Sequence, residues 1–180
     1  MTNLTFTPDM IDLLRTFKSA QLLSYECVET YNCIYGNLRI NTSQGAIELT
    51  NLERTTPFFD DEEELSCFEC TSVAPATPFK PLINDSAVTH PICEKIVGID
   101  LIRDYVTVND GEYELLFDQA VVFHTETKTV MFSRHVWFSE DIMVSDNNDY
   151  DTLFPIEEVI DTLSNEGEYK VRVSRTIEVL

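Results

Sequence analysis

The sequence predicts a single α+β domain in which antiparallel strands dominate and one helix lies near each end of the chain. Short alternating or apolar runs, separated by turn residues, occupy most of the chain and predict strands. Apolar residues recur at helical spacing only near the start and near the end. For 180 residues, the area scaling of folded proteins allows about 70% of the unfolded chain's surface to be buried in one core. We therefore expect one acidic globular domain over residues 1–180.

Each helix is predicted from its start and its apolar stripe. Thr7 and Pro8 supply a capping hydroxyl and a proline at the first helical position, and apolar residues then recur at i, i+3, i+4 and i+7. This pattern predicts a helix over 8–22. A similar apolar stripe over 155–163, followed by an asparagine and a glycine, predicts a second helix before the last strand.

Three hairpins and a final strand are predicted from period-two patterns. The hairpins lie at 39–50, 104–117 and 120–133, each with turn residues between two alternating or apolar runs. Alternation over 169–173 predicts the final strand. The segment 71–85 contains three prolines and has no clear period, so we expect it to be a loop within the domain.

The charge of the chain excludes several function classes. With 32 Asp and Glu against 12 Lys and Arg, the formal charge is −20. The chain lacks the cations that neutralise phosphates, which argues against direct binding to nucleic acid or to an anionic membrane.

No cationic leader precedes an apolar run and no apolar run reaches about 18 residues, so we expect neither a signal peptide nor a membrane span. Five cysteines, an odd number, favour reduced thiols and a cytoplasmic location.

Half of the acidic residues, 16 of 32, lie in two segments that contain no Lys or Arg. Thr55–Phe79 holds six of them and Val136–Tyr169 holds ten. Solubility alone favours interleaved signs, and like charges held close together repel one another. Aromatic residues lie within both segments, and carboxylates around aromatic anchors suit a protein interface. The residues predicted to bind a partner are Asp60, Asp61, Glu62, Glu63, Glu64, Glu140, Asp141, Asp146, Asp149, Asp151, Trp137 and Phe138.

Two interpretations of this clustering stay open. The acids form either a solvated surface or a dedicated surface for a basic partner. The average density is one net charge per roughly 450 Å² of folded surface, against one per roughly 100 Å² for duplex DNA. The surface as a whole therefore does not mimic DNA, and a mimic would need the two acidic segments to share one face.

A cysteine and histidine spacing suggests a metal site. Cys67 and Cys70 are separated by two residues, and His90 and Cys93 form a second such pair nineteen residues further on. Three thiolates and one imidazole can hold Zn²⁺ tetrahedrally. The segment 65–70 also fits a strand, in which its two cysteines would point to opposite faces. Unligated thiols are therefore the alternative.

No enzyme motif stands out in the sequence. Asp118, Glu126 and Lys128 resemble the acid-x-Lys element of metal-dependent nucleases, but the last two fit a hairpin turn, and the negative charge disfavours a nucleic-acid substrate. His124 and His135 lie on predicted strands among apolar residues, which favours structural roles. There is no glycine-rich phosphate loop and no dinucleotide fingerprint. We therefore expect a protein that is not an enzyme and that needs no cofactor, zinc excepted.

We interpret the sequence as a non-enzymatic, acidic binding or inhibitor protein whose partner is a basic, nucleic-acid-binding enzyme. Such enzymes present cationic channels, to which an acidic domain is steered quickly. In composition the chain resembles the acidic inhibitors encoded by phages and mobile elements, including anti-restriction and anti-CRISPR proteins, and no residue motif carries this likeness. The alternatives are a structural or adaptor domain whose acidity is incidental and a small zinc-stabilised module.

Overall fold

The computed structural model describes residues 1–31, 33–58, 61–74, 77–135, 137–164 and 168–180. At residues 58 and 61 it describes the backbone but not the side chain. The strands are β1 Thr2–Leu4, β2 Gln21–Thr30, β3 Cys33–Thr42, β4 Gly45–Phe58, β5 Asp61–Val73, β6 Val88–Val108, β7 Tyr113–Thr125, β8 Thr129–Arg134, β9 Asp141–Asp146 and β10 Val171–Val179. The helices are α1 Pro8–Arg15, α2 Tyr150–Leu153 and α3 Ile156–Ser164. Strands dominate in one large mixed sheet with few helices. This fits a mostly β fold, and the predicted α+β class is not confirmed.

Six of the strands pair in a closed ring. The order is β2, β3, β9, β8, β7 and β6, and β6 returns to β2, all through antiparallel pairings. The other strands extend the ring: β4 continues from β3 and pairs with β5, β10 pairs with β6, and β1 lies parallel to β7.

The third strand changes its partner at Gly36. Ile34 and Tyr35 pair with β9, whereas residues 37–42 pair with β4. Gly36 has a φ of 71°, in the left-handed region that glycine adopts without steric cost. Its N–H donates to the carbonyl oxygen of Glu140 at 3.1 Å. The strand can therefore close the ring on one side of Gly36 and begin the β4–β5 hairpin on the other.

The largest buried cluster draws apolar side chains from all six ring strands and from α1. Alternation along each strand separates this interior from the outer face. Val121 and Phe123 belong to the interior cluster, while Val122 packs outside the ring in the cluster that contains Tyr150 of α2. A third cluster lies under α3, where Val159 packs in the same group as Trp137.

The three predicted hairpins are confirmed as β3–β4, β6–β7 and β7–β8. The final strand is longer than expected and continues to Val179. The first helix is shorter, because Ser19 has a φ of 76° and donates its N–H to the carbonyl of Ile96, and the chain enters β2 at Gln21.

Among the helices in the described ranges, none combines the length and apolar character needed to cross a membrane.

Candidate functional site

The two acidic segments of the sequence meet at Glu53 of β4. The N–H of Glu53 lies 3.4 Å from Oε1 of Glu140, which belongs to the second segment. Thr55 is paired with Glu64 across the β4–β5 hairpin, so Glu64 of the first segment projects from the same face as Glu53. We call Glu53, Glu64 and Glu140 the acidic cluster.

Burial and neighbouring negative charge both act on Glu53 in the acidic cluster. Partial burial, followed by the negative charges of Glu64 and Glu140, raises the pKa of Glu53. A hydrogen bond to the Glu140 carboxylate raises the pKa of Tyr35 on the neighbouring strand. Within the described part of the chain, which includes every Lys and Arg, no member of the cluster forms an ion pair with a cation. The cluster can therefore accept a cationic group from outside the chain.

Several other predicted acids already contact groups of the same chain. Asp146 forms an ion pair with Lys128 at 2.8 Å, and Asp151 forms one with Arg175 at 2.7 Å. The Asp149 side chain caps α2 by accepting from the N–H of Thr152. These carboxylates contribute less negative charge to the surface than the sequence count implies, because cations from outside the acidic segments neutralise two of them.

The remaining predicted acids lie on strands β5 and β9. Glu62 and Glu63 are exposed near the start of β5, and Asp141 is half-buried at the start of β9. Asp60 and the side chain of Asp61 lie outside the described residues.

Of the two predicted aromatic anchors, Trp137 is buried and Phe138 is exposed. Trp137 is only 6% exposed, and its ring meets the ring of Phe117 edge-on at 4.4 Å between centroids. Phe138 is 44% exposed and lies two residues before Glu140. As a correction to the sequence analysis, Trp137 is a core residue in this fold, and Phe138 alone presents its ring at the surface.

The predicted zinc quartet does not come together. Cys67 and Cys70 lie on β5 and pack in different core clusters, on opposite faces of the strand, as a period of two requires. His90 stacks on Tyr25, and Cys93 is exposed with its thiol directed at the carbonyl oxygen of Leu23. This corrects the proposed ligand set.

A different group of potential ligands forms between β2 and β6. The ligand atoms of Cys27, Glu29 and His90 lie within 4.8 Å of one another, and this is the one such group among the described residues. The sequence spacing gave no indication of it, because the β2–β6 pairing joins segments that are far apart in the chain.

A groove lined by both apolar and charged side chains lies between α2 and the outer face of the ring. Its volume is about 160 Å³, and Ile102, Val122 and Met131 form part of its wall. His124 and Asp100, joined at 2.7 Å between Nε2 and Oδ2, lie at the groove as well. The apolar residues around His124 predict a structural role, and nothing in the sequence indicates its pairing with Asp100.

No protein-family model, curated protein or solved structure matches the chain. A function for the chain therefore has to be argued from its own residues and their geometry.

Proposed function

We propose that this protein is a non-enzymatic binding protein that engages a basic, nucleic-acid-handling partner through the acidic cluster. The observation that carries the proposal is the meeting of Glu64 and Glu140, from separate acidic segments, around Glu53. Carboxylates held together without a cation repel one another, and a Lys or Arg of a partner would relieve this repulsion. Exposed Phe138, two residues before Glu140 in the sequence, offers an aromatic ring for contact with the same partner.

The net charge of the chain supports the same kind of partner. A formal charge of −20 attracts a cationic surface over distances comparable with the Debye length, about 8 Å at physiological salt. Enzymes that handle nucleic acids carry such surfaces in their substrate channels. A protein that occupies the channel competes with the nucleic acid, so we propose that the outcome of binding is inhibition.

The test compares the wild-type protein with a variant in which the acidic cluster is neutralised. The variant carries Glu53→Gln, Glu64→Gln and Glu140→Gln, and both proteins are used as bait in extract of the source cell. We expect the wild type to recover basic nucleic-acid enzymes and the variant to lose them. With the recovered partner in purified form, the association rate should fall by at least tenfold in the variant and should also fall as salt is raised.

A control variant keeps the total charge change equal. Asp9→Asn, Glu126→Gln and Asp161→Asn remove three exposed charges at separate positions and should leave partner recovery unchanged. Equal losses in the two triple variants would indicate a general charge effect and would overturn the proposal. Recovery by the acidic-cluster variant at the wild-type level would overturn it too.

The adaptor alternative is favoured by one observation, the exposure of Phe138. If the interface is apolar, Phe138→Ala should abolish binding while the acidic-cluster variant retains it. A change at Trp137 does not make this distinction, because removing a core side chain reduces the stability of the fold.

A further inference from the structure

Three side chains with different donor atoms converge where β2 pairs with the start of β6. His90 lies directly across from Tyr25, and Cys27 lies two residues further along β2 on the same face. Glu29 follows an irregularity in the β2–β3 pairing that begins after Cys27. The Sγ, carboxylate oxygen and ring nitrogen of the three residues all lie within 4.8 Å of one another.

The histidine of this group is held in place and has an unsatisfied ring nitrogen. Its imidazole stacks on the ring of Tyr25, with centroids 4.5 Å apart and an interplanar angle of 11°. Nε2 of His90 lies 3.1 Å from Oε1 of Glu29, which is an ion-pair distance. This buried nitrogen forms no hydrogen bond with any of the described residues. Buried polar atoms without a partner are rare and call for an explanation.

The donor set matches one class of ligand. A thiolate, an imidazole nitrogen and a carboxylate oxygen are the three protein donors that zinc takes. Calcium and magnesium prefer oxygen donors throughout, so the cysteine and the histidine argue against them. The formal charge of −20 also attracts cations to the protein and repels anions from it.

We propose that Cys27, Glu29 and His90 bind Zn²⁺ as three protein ligands. With three protein ligands, zinc takes water as the fourth. A cavity of about 240 Å³ borders Glu29, although Cys27 and His90 do not line it. On binding, the Cys27 thiol loses its proton to solvent and the sulfur forms a bond to the metal, so affinity falls as pH is lowered. Only His90 is shared with the zinc site expected from the sequence, and the new site is separate from the acidic cluster.

The experiment titrates the full-length, reduced and chelator-treated protein with Co²⁺, whose bond to a thiolate gives a charge-transfer band in the near ultraviolet. We expect this band to saturate at about one Co²⁺ per chain and to disappear when Zn²⁺ is added. Cys27→Ser should abolish the band. Cys93→Ser and Cys70→Ser, which remove thiols outside the group, should leave it unchanged.

Cys27 is fully buried, so its replacement could unfold the chain. His90→Gln therefore provides a second variant, at a partly exposed position. Circular dichroism establishes that each variant is folded. Loss of Co²⁺ affinity by at least tenfold in folded His90→Gln supports the site. A band that persists in folded Cys27→Ser, an unchanged Co²⁺ affinity in folded His90→Gln, or no band in the wild type overturns it. The Co²⁺ titration does not depend on whether the acidic cluster recovers a partner. A failure of the zinc proposal can therefore be distinguished from a failure of the proposed function.

Discussion

Arg175 and Asp104 form a bidentate ion pair in the interior. Nε and Nη2 of Arg175 donate to the two carboxylate oxygens of Asp104 at 2.8 and 2.7 Å, and the side chains are 6% and 0% exposed. Nη1 of Arg175 donates to Asp151 and to the carbonyl oxygen of Phe154, both at 2.7 Å. The guanidinium also lies 4.5 Å from the ring centroid of Tyr150. This pair therefore connects strands β10 and β6 to the α2 segment.

Replacing Asp104 with Asn should destabilise the protein strongly. The variant leaves the Arg175 guanidinium buried without its main countercharge, and breaking a buried pair in this way costs about 3–5 kcal/mol in free energy of unfolding. Urea unfolding monitored by Trp137 fluorescence measures the change. As a matched control, Asp110→Asn breaks the exposed pairs with Lys170 and Arg172 and should have little effect. Similar stabilities for the two variants would contradict the prediction.

Replacing Arg134 with Met should stabilise the protein. Arg134 is 2% exposed, its Nε and Nη2 have no hydrogen-bond partner among the described residues, and burial lowers its pKa to about 10. Its guanidinium lies between the rings of Phe68 and Phe117, at 5.6 and 5.2 Å from their centroids. A methionine keeps apolar contact with both rings and removes the buried donors, so we expect a gain of about 1–3 kcal/mol.

The control for Arg134 is Arg103→Met, since Arg103 makes two hydrogen bonds to the buried carboxylate of Asp118. Urea unfolding, monitored by Trp137 fluorescence, measures both variants, and Arg103→Met should lose stability. A loss of similar size for Arg134→Met would contradict the prediction and would mean that the Arg134 guanidinium has a stabilising partner.

Local features of the fold were predictable from sequence, and the closure of the ring was not. The hairpin at 39–50 needs only two alternating runs and the turn between them, and it forms as β3–β4. The ring closes through pairs such as Tyr25 with His90, which no local pattern encodes. The helix predicted over 8–22 was too long, because serine does not signal the left-handed backbone that Ser19 adopts, which is more typical of glycine or asparagine.

The acidic segments were visible in the sequence, but their effective charge was not. The acidic cluster requires Glu53, which lies outside both segments. Lys128 and Arg175, also outside the segments, neutralise Asp146 and Asp151. Charge pairing depends on tertiary neighbours, so a count along the chain overestimates the free negative charge in the second segment.

Neutralising Glu53 should stabilise the protein at neutral pH. Its pKa is raised in the folded state, so the folded chain holds this proton more tightly than the unfolded chain does. The associated stability is complete below the unfolded pKa and is lost as pH rises through the folded pKa. At pH 7, Glu53→Gln should therefore raise the free energy of unfolding by roughly a few tenths of a kcal/mol. The gain should vanish below about pH 4 and shrink at high salt.

The matched variant for Glu53 is Glu69→Gln on the same hairpin. Glu69 forms an ion pair with Arg54, so its neutralisation should reduce stability at pH 7 rather than raise it. Changes of the same sign in the two variants would show that the local charges do not determine the effect.

Only one of the five cysteines should react rapidly with a thiol reagent at pH 8. In the metal-free protein, burial raises the pKa of Cys27 and Cys70 to about 12 and also raises that of Cys67, so these thiols are protonated and shielded. Cys33 is half-buried, and burial raises its pKa as well. Cys93 is exposed, so a disulfide reagent should label about one thiol per chain quickly and the rest only as the fold opens. Cys93→Ser should remove the fast phase, and a fast phase that survives this substitution would show that a second thiol is accessible.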